Sequence, residues 1–575
     1  MKIAVYTITK NEEKFIARWA ESCRDADVRL IVDTGSTDGT VEAAKNAGCD
    51  VAVISVSPWR FDDARNAALA LIPDDVDWCV SLDADEVLQP GWREHLESLP
   101  EHVTRPRYKY VWSWNDDGSE GLVFHRDHIH RRHGYRWKHP VHEVLVPTGK
   151  EVQAVCGLEV HHHPDSSKSR SQYLPLLELA VQEDPEGDRN LFYLGRELMY
   201  NGRNKEAVPH FVRHLEISKW CPERAASMRY LARVTGNREH WLLRACAEAP
   251  ERREGWTELA KLYYDLGNWP LSYGAAKRAV AIVEKPLDYI CEADAWGYLP
   301  HDLLAIAAWN IGLRHESLRH AKIALEISPY DQRLRQNVAL VLRGLRQSNV
   351  DVIIPTKSNT DGLKSIYSRA AIDESVDNIF IVADGKDALE KVNNLGLERV
   401  TVLSVDEGSG IHKMWNTALE RVSAGNHVCF LNDDVSLDKD AISMLASQLD
   451  ADPSIGLICP NYDNRLITGT DQDVFGATGV YGKTGIAGAS MMLRSDLASA
   501  WRFDERMKWY FGDDDVSRWV SQIAGGRTVV SGLTRAWGNN SWTTQNDPPK
   551  NFKEITDEDK RIFDEKWMSD ASSGA

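Results

Sequence analysis

Val80-Ser81-Leu82-Asp83-Ala84-Asp85-Glu86 is the stretch around which the rest of this chain falls into order. It closes an apolar run from Trp78 to Leu82, the composition of a buried strand between polar turns. The strand stops at three acids broken by one small residue. Asp83 and Asp85 stand two positions apart, and in an extended chain such residues project to the same side. Two carboxylates on one side repel unless a cation sits between them, and oxygen ligands favour Mg²⁺ or Mn²⁺.

Upstream, Ile3-Ala4-Val5-Tyr6-Thr7 is β-prone and leads into Thr9-Lys10-Asn11-Glu12-Glu13, which opens a helix. Leu30-Ile31-Val32-Asp33 is a second strand and runs into the turn-rich Thr34-Gly35-Ser36-Thr37-Asp38-Gly39-Thr40. Strand, turn and helix alternate up to the acids, which predicts a parallel α/β sheet with its ligand at the carboxyl ends of the strands. In Thr7, Asn11-Glu12, the run from Asp33 to Thr40, Arg65-Asn66 and Asp83-Ala84-Asp85, the chain resembles the inverting family 2 glycosyltransferases of GT-A fold. The resemblance implies a nucleotide-sugar donor held by Thr7, Asn11, Asp33, Arg65 and Asp83, with Asp33 at the nucleotide base. It also implies Mn²⁺ or Mg²⁺ on the diphosphate, ligated by Asp83, Asp85 and a histidine from well past them; His142 and one of the run His161, His162 and His163 are the candidates, His161 and His163 being preferred within the run. Glu143, in Val141-His142-Glu143, is the candidate general base, because an inverting displacement needs a base opposite the leaving group.

At 575 residues the chain exceeds the roughly 250–300 that one core holds, so several domains are expected. Hydrophobic content of 43% with 27% charged residues is ordinary for a soluble globular protein. No apolar stretch approaches the roughly 20 residues that span a bilayer, and Met1-Lys2 leads directly into a strand pattern instead of a signal peptide's apolar core. Nine cysteines without paired spacing suit reduced thiols, and a cytoplasmic protein is expected. A net charge of −18 argues against non-specific binding of nucleic acid.

From Ser167 to about Arg346 helical periodicity takes over. Gly202, Gly236, Gly267 and Gly312 each sit between amphipathic stretches and fall 34, 31 and 45 residues apart. The first two intervals fit helix-turn-helix units of the tetratricopeptide kind, about 34 residues each, and the third requires an irregular unit or an insertion. Such arrays offer a concave face that commonly holds a peptide or protein; the plainer alternative is a rigid spacer.

At Asn349 the strand signals return. Val350 to Thr356 and Ile379 to Asp384 repeat the themes of residues 3 and 33, and Val428-Cys429-Phe430-Leu431 ends in Asn432-Asp433-Asp434. This half resembles a second family 2 domain. The resemblance implies donor binding by Thr356, Asp384, His412, Asn416 and Asp433, and metal ligation by Asp433 and Asp434. It places small residues of Gly485-Ile486-Ala487-Gly488-Ala489-Ser490 behind the acceptor and a catalytic base in Gly512-Asp513-Asp514-Asp515, Asp514 first and Asp513 next. Adjacent acids repel, which raises at least one pKa, as suits a base. The family's later metal-binding histidine is missing near Trp537-Gly538-Asn539-Asn540-Ser541. The tail from Asn546 is polar, and residues 569–575 are expected to be disordered.

The expected architecture is α/β: two GT-A domains with Rossmann-like mixed sheets, 1–166 and 349–575, joined by all-α tetratricopeptide-like repeats over 167–348. The expected function is metal-dependent, bifunctional transfer of sugars, with inversion, from nucleotide-sugar donors to a macromolecular acceptor, a protein before a glycan and a glycan before modified nucleic acid. The alternative is one active domain, with the second domain catalytically lost and the repeats a binding module.

Overall fold

The computed structural model describes residues 1–115, 118–165, 173–462, 471–474, 486, 488–538 and 551–568. Gly485, Ala487, Asn539 to Ser541, residues 546–550, the closing 569–575 and the expected junction at 166/167 lie outside them. The chain divides into two compact units, Met1–Leu303 and Leu304–Ala575, and the division falls within the helical region.

The first unit is built on β1 (Ile3–Thr9), β2 (Val28–Asp33), β3 (Asp50–Val53) and β4 (Trp78–Ser81), with β5 (Glu86–Leu88) just beyond the acids. β6 (Arg105–Val111), β7 (Val123–Arg126), β8 (Ile129–Arg131), β9 (Tyr135–Lys138), β10 (Val144–Pro147) and β11 (Gln153–His162) follow. The main sheet runs β3-β2-β1-β4-β8; its first four strands are parallel, and β8 is antiparallel to β4. β1 shows why its sequence is apolar without alternation. Ile3 and Val5 enter one core, with Trp19, Trp78 and Val80, while Ala4 and Tyr6 enter another, with Val32, Leu69 and Cys79. A parallel strand covered on both faces has no polar side to show. A second sheet, β5-β11-β6-β7, carries the segment beyond the acids.

Helices then pair as Asp188–Tyr200 with Asn204–Ile217, Cys221–Val234 with Arg238–Glu248, and Arg253–Asp265 with Trp269–Ala281. Gly202 and Gly267 take φ of 74° and 67° one residue past the C-caps Asn201 and Leu266, where the left-handed backbone suits glycine. The long third interval is an insertion, residues 282–298, containing one short helix, Ala293–Trp296. It runs along the first helices of the three hairpins: Tyr289 stacks on Tyr193 at 6.2 Å, Glu292 pairs with Arg229 at 2.6 Å, and Asp288 with Arg252 at 2.6 Å. Residues 282–298 therefore cover these first helices, on the face for which the repeat pattern left a peptide-holding surface and a rigid spacer as alternatives.

The second unit holds β12 (Val350–Thr356), β13 (Val376–Asp384), β14 (Thr401–Val405), β15 (His427–Leu431), β16 (Val435–Leu437), β17 (Ile455–Tyr462), β18 (Gln472–Asp473), β19 (Ser490–Leu493) and β20 (Arg527–Gly538). They form one mixed sheet, β14-β13-β12-β15-β19-β17-β20-β16, with β18 on β20. The parallel order β14-β13-β12-β15 repeats β3-β2-β1-β4, and in both units a short strand after the acids pairs antiparallel with a late long one, β5 with β11 and β16 with β20. Among the described residues no helix is long and apolar enough to cross a membrane.

Candidate active site

In the first unit β4 ends at Ser81, and Asp83-Ala84-Asp85 is a turn, closed by the Glu86 amide on the Asp83 carbonyl at 2.9 Å. The extended geometry expected for the two aspartates is absent, because the Glu86 carboxylate folds back to accept from the Asp83 amide at 3.0 Å. The side chains consequently serve different partners. Asp83 accepts from Arg65 at 2.7 Å and pairs with Arg126 at 3.3 Å. Asp85 faces the ring Nε2 of His162 at 3.4 Å. Arg65 comes from the helix Phe61–Ala70, is 5% exposed, and also binds the Ser81 hydroxyl and the Glu143 carboxylate. Arg126 closes the far side by pairing with Glu86, a buried carboxylate that also accepts from the Tyr110 hydroxyl at 2.8 Å. Burial alone would raise the Asp83 carboxyl, but the two guanidiniums hold it well below the usual carboxylate range. Glu86 goes the other way, raised by burial and by the neighbouring aspartates despite Arg126.

The histidines sort by strand register. β11 pairs with β5 so that His162 lies opposite Glu86 and His161 opposite Val87. Side chains alternate along a strand, which turns His161 to Glu159 at 2.6 Å and to the Trp114 ring at 4.8 Å. His163 lies beside Trp114 at 6.2 Å. His142 stacks on Tyr193 at 4.1 Å, in the first helical hairpin. His162, the member of the run 161–163 that the sequence did not single out, is the ring that meets Asp85. Burial opposes its protonation, but the bond to Asp85 prevails and raises its pKa.

The other first-unit candidates shape the rim. Asp33 accepts from the Gly35 and Ser36 amides, both at 3.0 Å. Asn11, in left-handed backbone at φ 58°, accepts from the Thr37 amide at 2.7 Å and so ties two strand-end loops together. Thr7 is fully buried in β1.

In the second unit the hydroxyl of Thr356 donates to Asp433 at 2.7 Å, and Asp433, buried without a paired cation among the described residues, is pushed up to about 7 by burial and the neighbouring Asp434. Asp384 accepts from the Gly408 amide at 2.8 Å through one oxygen, while its other carboxylate oxygen is buried without a hydrogen-bond partner among the described residues. Buried polar atoms are rarely left so, and a nucleotide base bearing an N–H would satisfy it. Asp513 accepts from the Gly488 amide at 3.0 Å and is raised by burial; Asp514 is pushed up to about 7 by burial and the Asp513 charge. Asp515, by contrast, is taken by Lys566 and Trp567, each at 2.8 Å, from the last helix, Phe552–Met568. His412 and Asn416 face inward: the His412 ring bonds the Met507 carbonyl at 2.7 Å, and the Asn416 amide both donates to and accepts from the Phe503 backbone, at 2.8 and 2.9 Å. Both clamp the loop that leads to the acids. Asn416→Ala is expected to cost about 2–3 kcal/mol, read from urea denaturation, because two buried backbone groups lose their partner.

Register also compares the two candidate metal positions. Val435 lies opposite Gly538, as Glu86 lies opposite His162. Where the first unit presents an imidazole the second has glycine, with the Tyr462 hydroxyl standing where a Cβ would go. Among the described residues no three His, Cys, Asp or Glu gather as a complete metal cage. A carboxylate with one imidazole still fits Mg²⁺ or Mn²⁺, which commonly takes its remaining ligands from substrate phosphates and water.

Residues 4–160 and 351–474 match the model of Glycosyl transferase family 2. The chain is 29% identical over 208 residues to the lipopolysaccharide core biosynthesis glycosyltransferase LpsC of Rhizobium meliloti, covering 34% of this chain and 76% of that protein. It is 25% identical over 312 residues to a TPR repeat-containing protein of Synechococcus elongatus, covering 49% of this chain and 75% of that one. Among solved structures, glucosyl-3-phosphoglycerate synthase from Mycobacterium tuberculosis, in complex with Mn²⁺, UDP and phosphoglyceric acid, aligns at 24% identity over 19% of this chain and 43% of that one, with a TM-score of 0.17. The enzyme class these comparisons give is glycosyltransferase.

Proposed function

We propose that both units are GT-A glycosyltransferase domains that transfer sugars from nucleotide-sugar donors, with inversion, to a macromolecular acceptor. The observation that carries the reading is the Asp85–His162 pair beside Asp83: one acid and one distant imidazole meet at 3.4 Å where parallel strands end. Asp85 and His162 would hold Mn²⁺ or Mg²⁺ in the first unit, where the ion would neutralise charge on the leaving diphosphate. Arg65 fixes Asp83 and Glu143 in one bonded set, so the candidate base is oriented by the same group that anchors the turn. In the second unit Asp384 would take the base and Asp513 or Asp514 the acceptor proton. With the repeats' inner face covered by residues 282–298, a glycan acceptor gains ground on a protein one, as the name of the Rhizobium relative also suggests. Nucleic acid stays last, at a net charge of −18.

A second reading has Gly538 behind it: without an imidazole opposite Val435, the second unit is a binding domain and only the first transfers. A hydrolysis screen with UDP-, GDP- and dTDP-sugars tests the proposal. One donor should be cleaved with Mn²⁺ and spared with chelator, and Asp85→Ala with His162→Ala should lower the rate by roughly 10²–10³-fold at the first unit. Undiminished cleavage in that double variant removes this site from consideration.

A further inference from the structure

Loop 139–143 delivers Glu143 to Arg65, and its backbone does not hold that shape by itself. His139 and His142 adopt φ of 85° and 50°, a left-handed conformation that non-glycine residues keep only where surroundings over-determine it. The surroundings come largely from the first hairpin of the repeats. The Asn190 amide bonds the His139 ring at 3.2 Å, Val141 is buried in one core with Leu177 and Phe192, and the His142 ring lies on Tyr193 at 4.1 Å and 19°. Tyr193 has a second ring beside it, Tyr289 of the insertion, at 6.2 Å and 13°. Tyr289 is fixed in turn by Trp220 at 5.6 Å and by a bond to Glu223. The insertion then reaches β7: the His125 amide donates to the Leu287 carbonyl at 3.3 Å, and Phe124 packs on Tyr289 at 6.4 Å. The next residue is Arg126, which pairs with Asp83 and Glu86.

We propose that the repeat region, through the His142–Tyr193–Tyr289 stack, is the positioning element of the first active site, setting Glu143 from one side and Arg126 from the other. Tyr193 and Tyr289 touch no reacting atom and are positioning residues. The inference rests on the glycosyltransferase reading of that site. It replaces an open peptide groove with an internal brace, and it explains why the insertion interrupts the repeat where the inner face passes β7.

The test uses the intact chain with Tyr193→Ala, Tyr289→Ala and the conservative Tyr193→Phe, which keeps the stacked ring. Hydrogen exchange is expected to rise at residues 139–145 and 123–127 in both alanine variants and to stay at wild-type levels at residues 3–9 and in Tyr193→Phe. With the nucleotide sugar that the wild type cleaves, kcat should fall about 10–100-fold in the alanine variants, with the donor KM within about twofold, and return in Tyr193→Phe. Unchanged exchange at 139–145, or raised exchange with unchanged kcat, overturns the proposal. If the wild type cleaves no donor the catalytic reading fails by itself, while the exchange data still decide whether the stack holds the two segments.

Discussion

Replacing Arg65 with leucine is expected to cost the first unit about 3–5 kcal/mol of stability and to abolish its activity. Arg65 is 5% exposed and sits between Asp83 and Glu143, with the Ser81 hydroxyl at 2.8 Å and the Trp137 ring 4.9 Å away. Leucine fills much of the volume but leaves two carboxylates in a poorly solvated setting with Arg126 alone to serve one of them. Removing one partner of a buried ion pair costs far more than replacing the whole pair by apolar groups. Lysine should recover little, since a point charge cannot serve Asp83, Glu143 and Ser81 as a planar fork does. The acid limb gives a second signature. Asp83 titrates below its unfolded value, so its contribution is present above about pH 4 and is lost as pH falls. Arg65→Leu should flatten that limb in urea denaturation followed from pH 2 to 7, whereas an unchanged limb would mean that Arg65 does not hold Asp83 in solution.

The second unit should behave in the opposite sense, losing stability as pH rises from about 4 to 7. Asp433 and Asp514 are each pushed up to about 7, the first by burial and Asp434, the second by burial and Asp513. An unfolded aspartate releases its proton near pH 3.9. Between those values the native state binds more protons than the unfolded state, so stability falls with rising pH, by up to about 1.4 kcal/mol per pH unit for each group. Asp433→Asn with Asp514→Asn, compared with wild type in chelator, should reduce the slope, the raised Asp513 and Asp384 carboxyls keeping the remainder, and gain roughly 2–4 kcal/mol at pH 8. Hydrogen exchange at β12 and β15 in the intact chain reads the second unit alone; an equal slope in wild type and variant would show that these carboxyls titrate normally. Asp433 suits a site completed by a cation, since it is most costly when ionised without one, while a carboxyl held near neutrality at Asp514 suits a general base.

Much of this was legible in the sequence because it is written in local signals. Apolar runs announced buried strands, and the alternation of strand, turn and helix announced their parallel order; Ile3 to Tyr6 lie in such a strand. Glycines at helix ends set the repeat, and the interval of 45 residues left an irregular unit or an insertion open until the helices were placed. What stayed hidden depends on pairing over long separations. The sequence spacing of Asp83 and Asp85 suggested a shared side, but Glu86 folded back and made a turn. Three consecutive histidines look alike until β11 is set against β5, and only then does His162 face the acids. Arg126 carried no motif, and it counts because β7 lies beside β6 and so brings it to Glu86. His412 and Asn416 resemble a family pattern, yet they bond the backbone of Met507 and Phe503, 95 and 87 positions away. Asp559 of the last helix, which receives the amides of Lys508, Trp509 and Tyr510 at 2.8 to 3.0 Å, was likewise invisible.

In the proposed function each unit holds a nucleoside diphosphate at the acidic turn between two strands. Calorimetric titration of UDP, GDP and dTDP into the intact chain with Mn²⁺ tests it most directly, repeated for Asp85→Ala with His162→Ala and for Asp434→Ala. Two bound nucleotides per chain are expected for one of these diphosphates, or one each of two, with the first variant losing one site and the second losing the other. Binding of the same stoichiometry in wild type and in both variants, or no binding at all, would contradict it.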